Sequence, residues 1–134
     1  MRPEECMFFN LAKASKKVGR YWKTAVAPLG VTGVQAMVMN FLLDMEGCTP
    51  TELKEKSFLD SATLTGILDR LTAMELVERR QNKTDRRAWT IHFTTKGRNT
   101  ARKVRKRVAE TNKEYLQHFS AEQISELKML LQQV

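Results

Sequence analysis

The chain has 134 residues, 42% hydrophobic and 28% charged, with a formal net charge of +8; that length holds one domain with a real core, not two independent ones. No apolar run approaches the roughly 20 residues that span a bilayer, and the start, Met1-Arg-Pro-Glu-Glu, lacks the charged-then-apolar order of a secretory signal. Two distant cysteines, Cys6 and Cys48, make no metal-ligand spacing with the two histidines, so the expected setting is reducing and cytoplasmic, with no membrane.

Residues 5 to 27 predict a long first helix. Met7, Leu11, Ser15, Val18, Trp22 and Ala25 recur at steps of four and three, close to a heptad seam that Phe8 and Phe9 widen. Lys13, Lys16, Lys17, Arg20 and Lys23 fill the other side, and Pro28 and Gly30 end the helix. Thr32-Gly-Val-Gln35 is a capping box opening a second helix. Its expected buried face is Val34, Met37, Val38, Phe41, Leu42 and Met45, closed by Gly47. Thr49-Pro-Thr-Glu52 is another box with proline at the first helical position; Leu53 points inward and this third helix ends by Ser57.

A fourth helix, capped by Asp60 or Ser61, buries Leu64, Ile67, Leu68, Leu71 and Met74. Its opposite face carries Ala62, Thr65, Gly66 and Asp69, so its first half can lie close against another surface. Leu76 to Arg80 and Ala88 to Phe93 read as strands, with Gln81 to Arg87 as the tip of a β-hairpin. A fifth helix runs from Thr94 to about His118, with Ala101, Val104, Val108, Thr111 and Tyr115 inward. Ser120-Ala-Glu-Gln123 caps a sixth, whose apolar face is Ile124, Leu127, Leu130, Leu131 and Val134.

Charge is unevenly placed. From Arg79 to Arg107 twelve Lys or Arg accompany one acid, Asp85, a local charge of +11 against −3 for the rest. Such a concentration marks a phosphate-binding surface, with a solvated helix face and charged loop as the plainer reading. The part from Arg102 to Arg107 is expected to steer rather than touch. An anionic membrane would call for a broad exposed Trp, Phe and Leu face that no basic helix here shows. Helix, helix and a hairpin with a cationic tip outline a winged helix-turn-helix that reads DNA. The first, fifth and sixth helices are too apolar on one side to stand alone, and a second copy is the simplest cover.

Leu29-Gly-Val-Thr-Gly-Val-Gln35, Thr49-Pro-Thr-Glu-Leu53, Leu59-Asp-Ser-Ala-Thr-Leu-Thr65, Asp69-Arg-Leu71, Leu76-Val-Glu-Arg79, Asp85-Arg-Arg87 and Phe93-Thr-Thr-Lys-Gly-Arg98 follow in order over nearly the whole chain. On them the sequence resembles the MarR/SlyA family of dimeric transcription regulators. The resemblance implies a mainly α fold with a small β-hairpin wing: a six-helix winged helix-turn-helix, paired two-fold through its terminal helices. Residues 1–29 and 100–134 would dimerise, through Met7, Phe8, Leu11, Val18, Leu127, Leu130 and Leu131, and 30–99 would form the DNA-binding lobe of one continuous globular domain.

The partner so implied is double-stranded DNA carrying a pseudo-palindromic operator, with the fourth helix in the major groove and the wing in the minor groove. The expected DNA-facing residues are Ser61, Ala62, Thr63, Thr65, Gly66, Arg70, Lys83, Arg86 and Arg87, and Asp85 would orient the wing arginines by ion pairing. Thr63 has a second reading as part of the helix cap, and Arg70 as a partner of Asp69 or of a hairpin residue. The resemblance also implies a repressor released by a small aromatic or phenolic effector. Tyr21, Trp22 and the fifth helix would line its pocket, with plain core packing as the alternative.

Three positions depart from the family pattern. Ser57-Phe58 stands where many relatives have Leu-Gly, and Gly66 where another common pattern has Arg. Glu75 stands where glycine usually follows the fourth helix, so that helix is expected to end without a left-handed cap. Cys6 keeps open a thiol-based peroxide sensor, as in one branch of the family, beside the reading of an idle cysteine. A winged-helix protein–protein adaptor is the alternative from another class. No nucleophile–base pair, metal cluster or phosphate-cradling loop emerges, so neither an enzyme nor a metal or cofactor is expected.

Overall fold

The computed structural model describes all 134 residues, Met1 to Val134. A 3-10 turn at Pro3–Glu5 leads into α1 (Met7–Val26), and another at Ala27–Leu29 turns the chain into α2 (Gly33–Met45). Then come α3 (Pro50–Ser57), α4 (Ser61–Ala73), β1 (Val77–Gln81), β2 (Trp89–Phe93), α5 (Thr95–Tyr115) and α6 (Ala121–Leu131). This is the winged helix-turn-helix the sequence predicts, with the hairpin as its only sheet.

Local chemistry sets the helix boundaries. The Thr32 hydroxyl accepts the Gln35 N–H while the Gln35 side chain accepts the Thr32 N–H, so two orphan donors are satisfied at once. Ser120 and Gln123 repeat this box at the start of α6. At α3 only half the box forms: the Thr49 hydroxyl accepts the Glu52 N–H at 3.3 Å, and Glu52 does not reach back.

The end of α4 corrects the expectation of a missing cap. Glu75 takes the left-handed conformation itself, at φ +59. Its N–H bonds to Thr72 O at 3.0 Å and the Leu76 N–H to Leu71 O at 2.9 Å, a full Schellman closure without glycine. Leu71 and Leu76 are both buried in the same core, and the need to return Leu76 to that core overrides the preference of Glu75.

β1 and β2 pair antiparallel, from Val77 opposite Phe93 out to Gln81 opposite Trp89. Two backbone bonds, Gly47 N–H to Ile91 O and Ile91 N–H to Cys48 O, tie the α2–α3 turn to the hairpin. One core joins Val26, Met39, Leu42, Leu53, Leu68, Ile91 and Val104, so α4 and the wing rest on a common base. Gly97 permits the closest approach in the chain: a Cβ there would stand 1.6 Å from Leu76 O, so α5 can lie on the turn before β1 only with glycine at that position.

Two surfaces differ from a closed globule. On α2 the buried arc is Ala36, Val38, Met39 and Leu42, whereas Val34 and Met37, expected inside, are 47% and 38% exposed. α2 packs against α5, α3, α1 and α4, and those contacts leave Val34 and Met37 outside the core. α6 buries none of its residues, and Leu127, Leu130 and Leu131 are exposed together with Met7 and Phe8 at the start of α1. No single helix is long and apolar enough to cross a membrane.

Candidate nucleic-acid interface

α4 begins at Asp60, whose carboxylate accepts the Thr63 N–H at 2.8 Å and the Thr63 hydroxyl at 2.7 Å. Those bonds hold the Asp60 carboxyl below the usual carboxylate range. Thr63 therefore donates its hydroxyl proton to the cap. Ser61, Ala62, Thr65 and Gly66 are exposed beside it. A Cβ on Gly66 would meet nothing within 4 Å, so its absence keeps the outer face low rather than serving the core. Arg70 is exposed one turn further on. Neither pairing foreseen for it forms, because Asp69 takes Arg79 of β1 instead, at 2.5 Å. That ion pair links the exposed side of α4 to the hairpin.

The tip of the hairpin is held by short-range hydrogen bonds. The Asn82 side chain accepts the Thr84 N–H and hydroxyl at 3.1 and 2.9 Å, and the Gln81 amide donates to Arg86 O at 2.8 Å. Asp85 accepts the backbone N–H of Arg87 at 3.0 Å, and its carbonyl accepts the Ala88 N–H. Ion pairing between Asp85 and the wing arginines, expected from sequence, is thus replaced by an Asx turn. A carboxylate two residues before an N–H reaches it with little loss of side-chain freedom, whereas an exposed guanidinium must be immobilised. Lys83, Arg86 and Arg87 stay exposed on this tip, with no acid paired to their side chains.

The positive stretch of the sequence divides in the fold. Six of its twelve cations are in ion pairs: Arg79, Arg80, Arg98, Arg105, Lys106 and Arg107. Arg98 grips Glu46 at 2.5 and 2.7 Å, and the same carboxylate accepts the Phe93 N–H. Arg105 holds both carboxylate oxygens of Asp44 at 2.8 Å and also bonds Asn40. These hydrogen bonds lower the pKa of Glu46 and Asp44 and raise that of their arginines. Arg105, assigned a steering role from sequence, fastens α5 to α2. Lys13, Lys16, Lys17, Arg20 and Lys23, by contrast, lie exposed along α1 outside every one of these pairs. Their freedom had a sequence signal: no acid occurs between Glu5 and Asp44.

Trp22 packs, half-buried, against the core. Its indole N–H donates to Gly33 O at 2.8 Å, and cavities open on both sides of it. One of about 520 Å³ is lined by Trp22, Lys23, Val34, Met37, Ser57 and Leu59. The other, of about 390 Å³, is lined by Val18, Tyr21, Trp22, Val108, Thr111 and Tyr115. The Tyr21 and Tyr115 rings meet edge to face at 4.9 Å. Thr111, only 6% exposed, has a hydroxyl with no hydrogen-bond partner. Cys6 is half-buried just before α1, and the Cys48 thiol, buried, is pushed up to about 11. No three His, Cys, Asp or Glu converge to hold a metal.

A sequence description of the MarR family matches residues 29–88. The chain is 36% identical over 90 residues to the HTH-type transcriptional regulator TtmR of Methylorubrum extorquens (strain PA1), covering 67% of this chain and 46% of that protein. It is 32% identical over 94 residues to the HTH-type transcriptional repressor YetL of Bacillus subtilis (strain 168), covering 69% of this chain and 56% of that one. The chain thus spans about half the length of these relatives. In three dimensions it is similar to a mutant MarR from E. coli complexed with operator DNA, with a TM-score of 0.85 and 27% identity over 92% of this chain and 89% of that one.

Proposed function

The chain belongs to the MarR family, and from that premise we propose that it is a sequence-specific double-stranded DNA-binding transcription regulator, acting as a homodimeric repressor. One observation carries the reading: a helix whose exposed first half bears only small side chains shares a base with a hydrogen-bonded loop carrying three unpaired cations. In this mechanism α4 enters the major groove. The Ser61 and Thr65 hydroxyls reach base edges or phosphates, Ala62 and Gly66 let the backbone approach, and Arg70 meets a phosphate. Arg86 and Arg87 enter the flanking minor groove, where a narrow A·T-rich stretch concentrates negative potential, and Lys83 meets the backbone. That the similar MarR was captured with operator DNA supports this placement.

Residues 1–29 and 100–134 form the dimerising part and 30–99 the reading part. Met7, Phe8, Leu11, Val18, Leu127, Leu130 and Leu131 would be covered by the second copy, which also sets the operator half-sites one helical turn apart. Release follows when a small aromatic ligand fills the cavities beside Trp22; the unpartnered Thr111 hydroxyl favours a ligand with a hydrogen-bonding group on its ring.

The test is selection of bound duplexes from a genomic library, followed by titration at rising salt. Specific binding whose affinity falls steeply with ionic strength is the expected result. A protein that binds no duplex at low salt would favour the adaptor and overturn the proposal.

A further inference from the structure

We propose that Trp89 is a DNA-contacting residue whose indole lies against the deoxyribose–phosphate backbone between the sites of α4 and the wing tip. The inference rests on the DNA-binding reading above and adds a contact to it.

The strand register supplies the geometry. Val77 and Phe93, Arg79 and Ile91, and Gln81 and Trp89 are opposed pairs on a single face of the hairpin, since side chains alternate along a strand. The first pair is buried. In the second, Ile91 closes the core and Arg79 reaches across to Asp69 of α4, which shows that this face turns toward α4. In the third, the Gln81 amide is engaged by Arg86 O, and Trp89 is 49% exposed. Trp89 therefore stands two residues, about 7 Å, beyond the tie between helix and hairpin, and two residues before that comes the unpaired Arg87.

Chemistry says what fits there. The core ends at Ile91, so packing does not call for a large ring at the next inward-facing position. An indole joins an apolar face to a single N–H donor that ordinarily finds an acceptor. The other indole in the chain gives its N–H to Gly33 O, whereas that of Trp89 has no acceptor within the protein. A ring face for sugar C–H groups and a donor for a phosphate oxygen, flanked by Arg79 and Arg87, match a nucleic-acid backbone. Contacts of this kind position a protein without reading sequence.

The test uses the full chain and a duplex whose saturation is followed independently by anisotropy of a dye on the DNA. Subtracting the emission of Trp89→Phe from that of the unaltered protein isolates Trp89 and leaves Trp22 in place. Its emission should be quenched, and shielded from acrylamide, as duplex saturates. Trp89→Ala should weaken binding on the order of tenfold, equivalent to about 1.4 kcal/mol, for the operator and for an unrelated duplex alike. The salt slope and the unfolding temperature should not change, because no charge and no core contact is removed. Trp89→Phe should fall between the two. Saturation that leaves the Trp89 signal unaltered, or Trp89→Ala binding like the unaltered protein, overturns the proposal. So does a weaker affinity that comes with a lower unfolding temperature, which would make the ring a packing element. Failure to bind any duplex is a different outcome, and strikes the DNA-binding reading itself.

Discussion

Replacing Glu75 by glycine should stabilise the protein, although it deletes a charged side chain from the surface. At φ +59 an L-residue brings its Cβ against the neighbouring carbonyl, which costs roughly 1–2 kcal/mol. Glycine removes that strain but returns roughly 0.4–1 kcal/mol through the greater freedom of its unfolded chain. Nothing else is lost: the Glu75 side chain makes no ion pair or hydrogen bond, and its carbonyl, which accepts the Thr94 hydroxyl at 2.6 Å, is retained. The net gain is roughly 0.5–1 kcal/mol. With an unfolding entropy of about 2.1 cal/mol/K per residue, this corresponds to a rise of about 2–4 °C in Tm. Thermal unfolding should be followed at one fixed protein concentration, because the midpoint of a dimer depends on it. Glu75→Ala keeps the Cβ and serves as the control, with no gain expected. Equal midpoints for the glycine and alanine variants would refute the argument, since the left-handed backbone would then carry no strain that glycine relieves.

Gly97→Ala should cost several kcal/mol, because the added methyl would sit 1.6 Å from Leu76 O; a variant that folds with unchanged Tm would mean α5 can slide at no cost. Arg87→Ala should weaken operator binding by about 1–3 kcal/mol while leaving the unfolding temperature unchanged, and unchanged affinity in a titration would remove the wing from the interface. Removing residues 1–17 should abolish the dimer in sedimentation, and a compact dimer would show that the exposed start of α1 is not part of the seam. Hydrogen bonds from Arg98 first, and from the Phe93 N–H, keep the Glu46 carboxyl depressed in the folded state. A depressed carboxyl contributes stability that is complete above its unfolded pKa, about 4.3, and disappears as pH falls through the lower folded value. Glu46→Gln should therefore cost about 1 kcal/mol near pH 7, after allowance for screening at a partly exposed site. The difference in urea midpoint should shrink as the pH falls below the unfolded value, and a difference that stays undiminished would place the effect in packing.

The sequence discloses what depends on neighbours a few residues apart. The boxes at Thr32 and Ser120, the Asp60 cap and the end of α3 at Ser57 follow from side chains within one turn of the bonds they make. It does not disclose which arc of α2 is buried, because Val34 and Met37 are as apolar as Val38 and Leu42, and only the packing of the neighbouring helices separates them. Asp85 is hidden for a related reason: a wing arginine is an obvious partner by charge, but the Arg87 N–H is nearer. At Glu75 the preference of the residue and the demand of the tertiary fold conflict, and the fold prevails through the burial of Leu76. At the interface, the small face of α4 and the cationic tip were legible, whereas the exposure of Trp89 depends on where the core happens to stop.

The positive stretch shows why net charge is a poor guide to a binding surface until its partners are known. Half of the cations from Arg79 to Arg107 already have an anion, and for Arg98 and Arg105 that anion lies on α2 or at its end, more than fifty residues away in the chain. A guanidinium held on both oxygens of a carboxylate is poorly placed to displace counterions from a phosphate, so it contributes little to the salt dependence of DNA binding. Removing Arg98 or Arg105 should act on the attachment of α5 to α2, and only through that on DNA. The cations able to release counterions are the unpaired ones, among them Lys83, Arg86 and Arg87 on the wing, Arg70 on α4, Arg102 and Lys103 on α5, and the row along α1. At the wing tip the Asp85 carboxylate is spent on the Arg87 backbone N–H and the Gln81 amide on Arg86 O, so no acid there pairs with an arginine side chain. In this molecule the acids of the body pair with arginine side chains while the acid of the tip binds backbone, and that division leaves positive charge free where a phosphate backbone would pass.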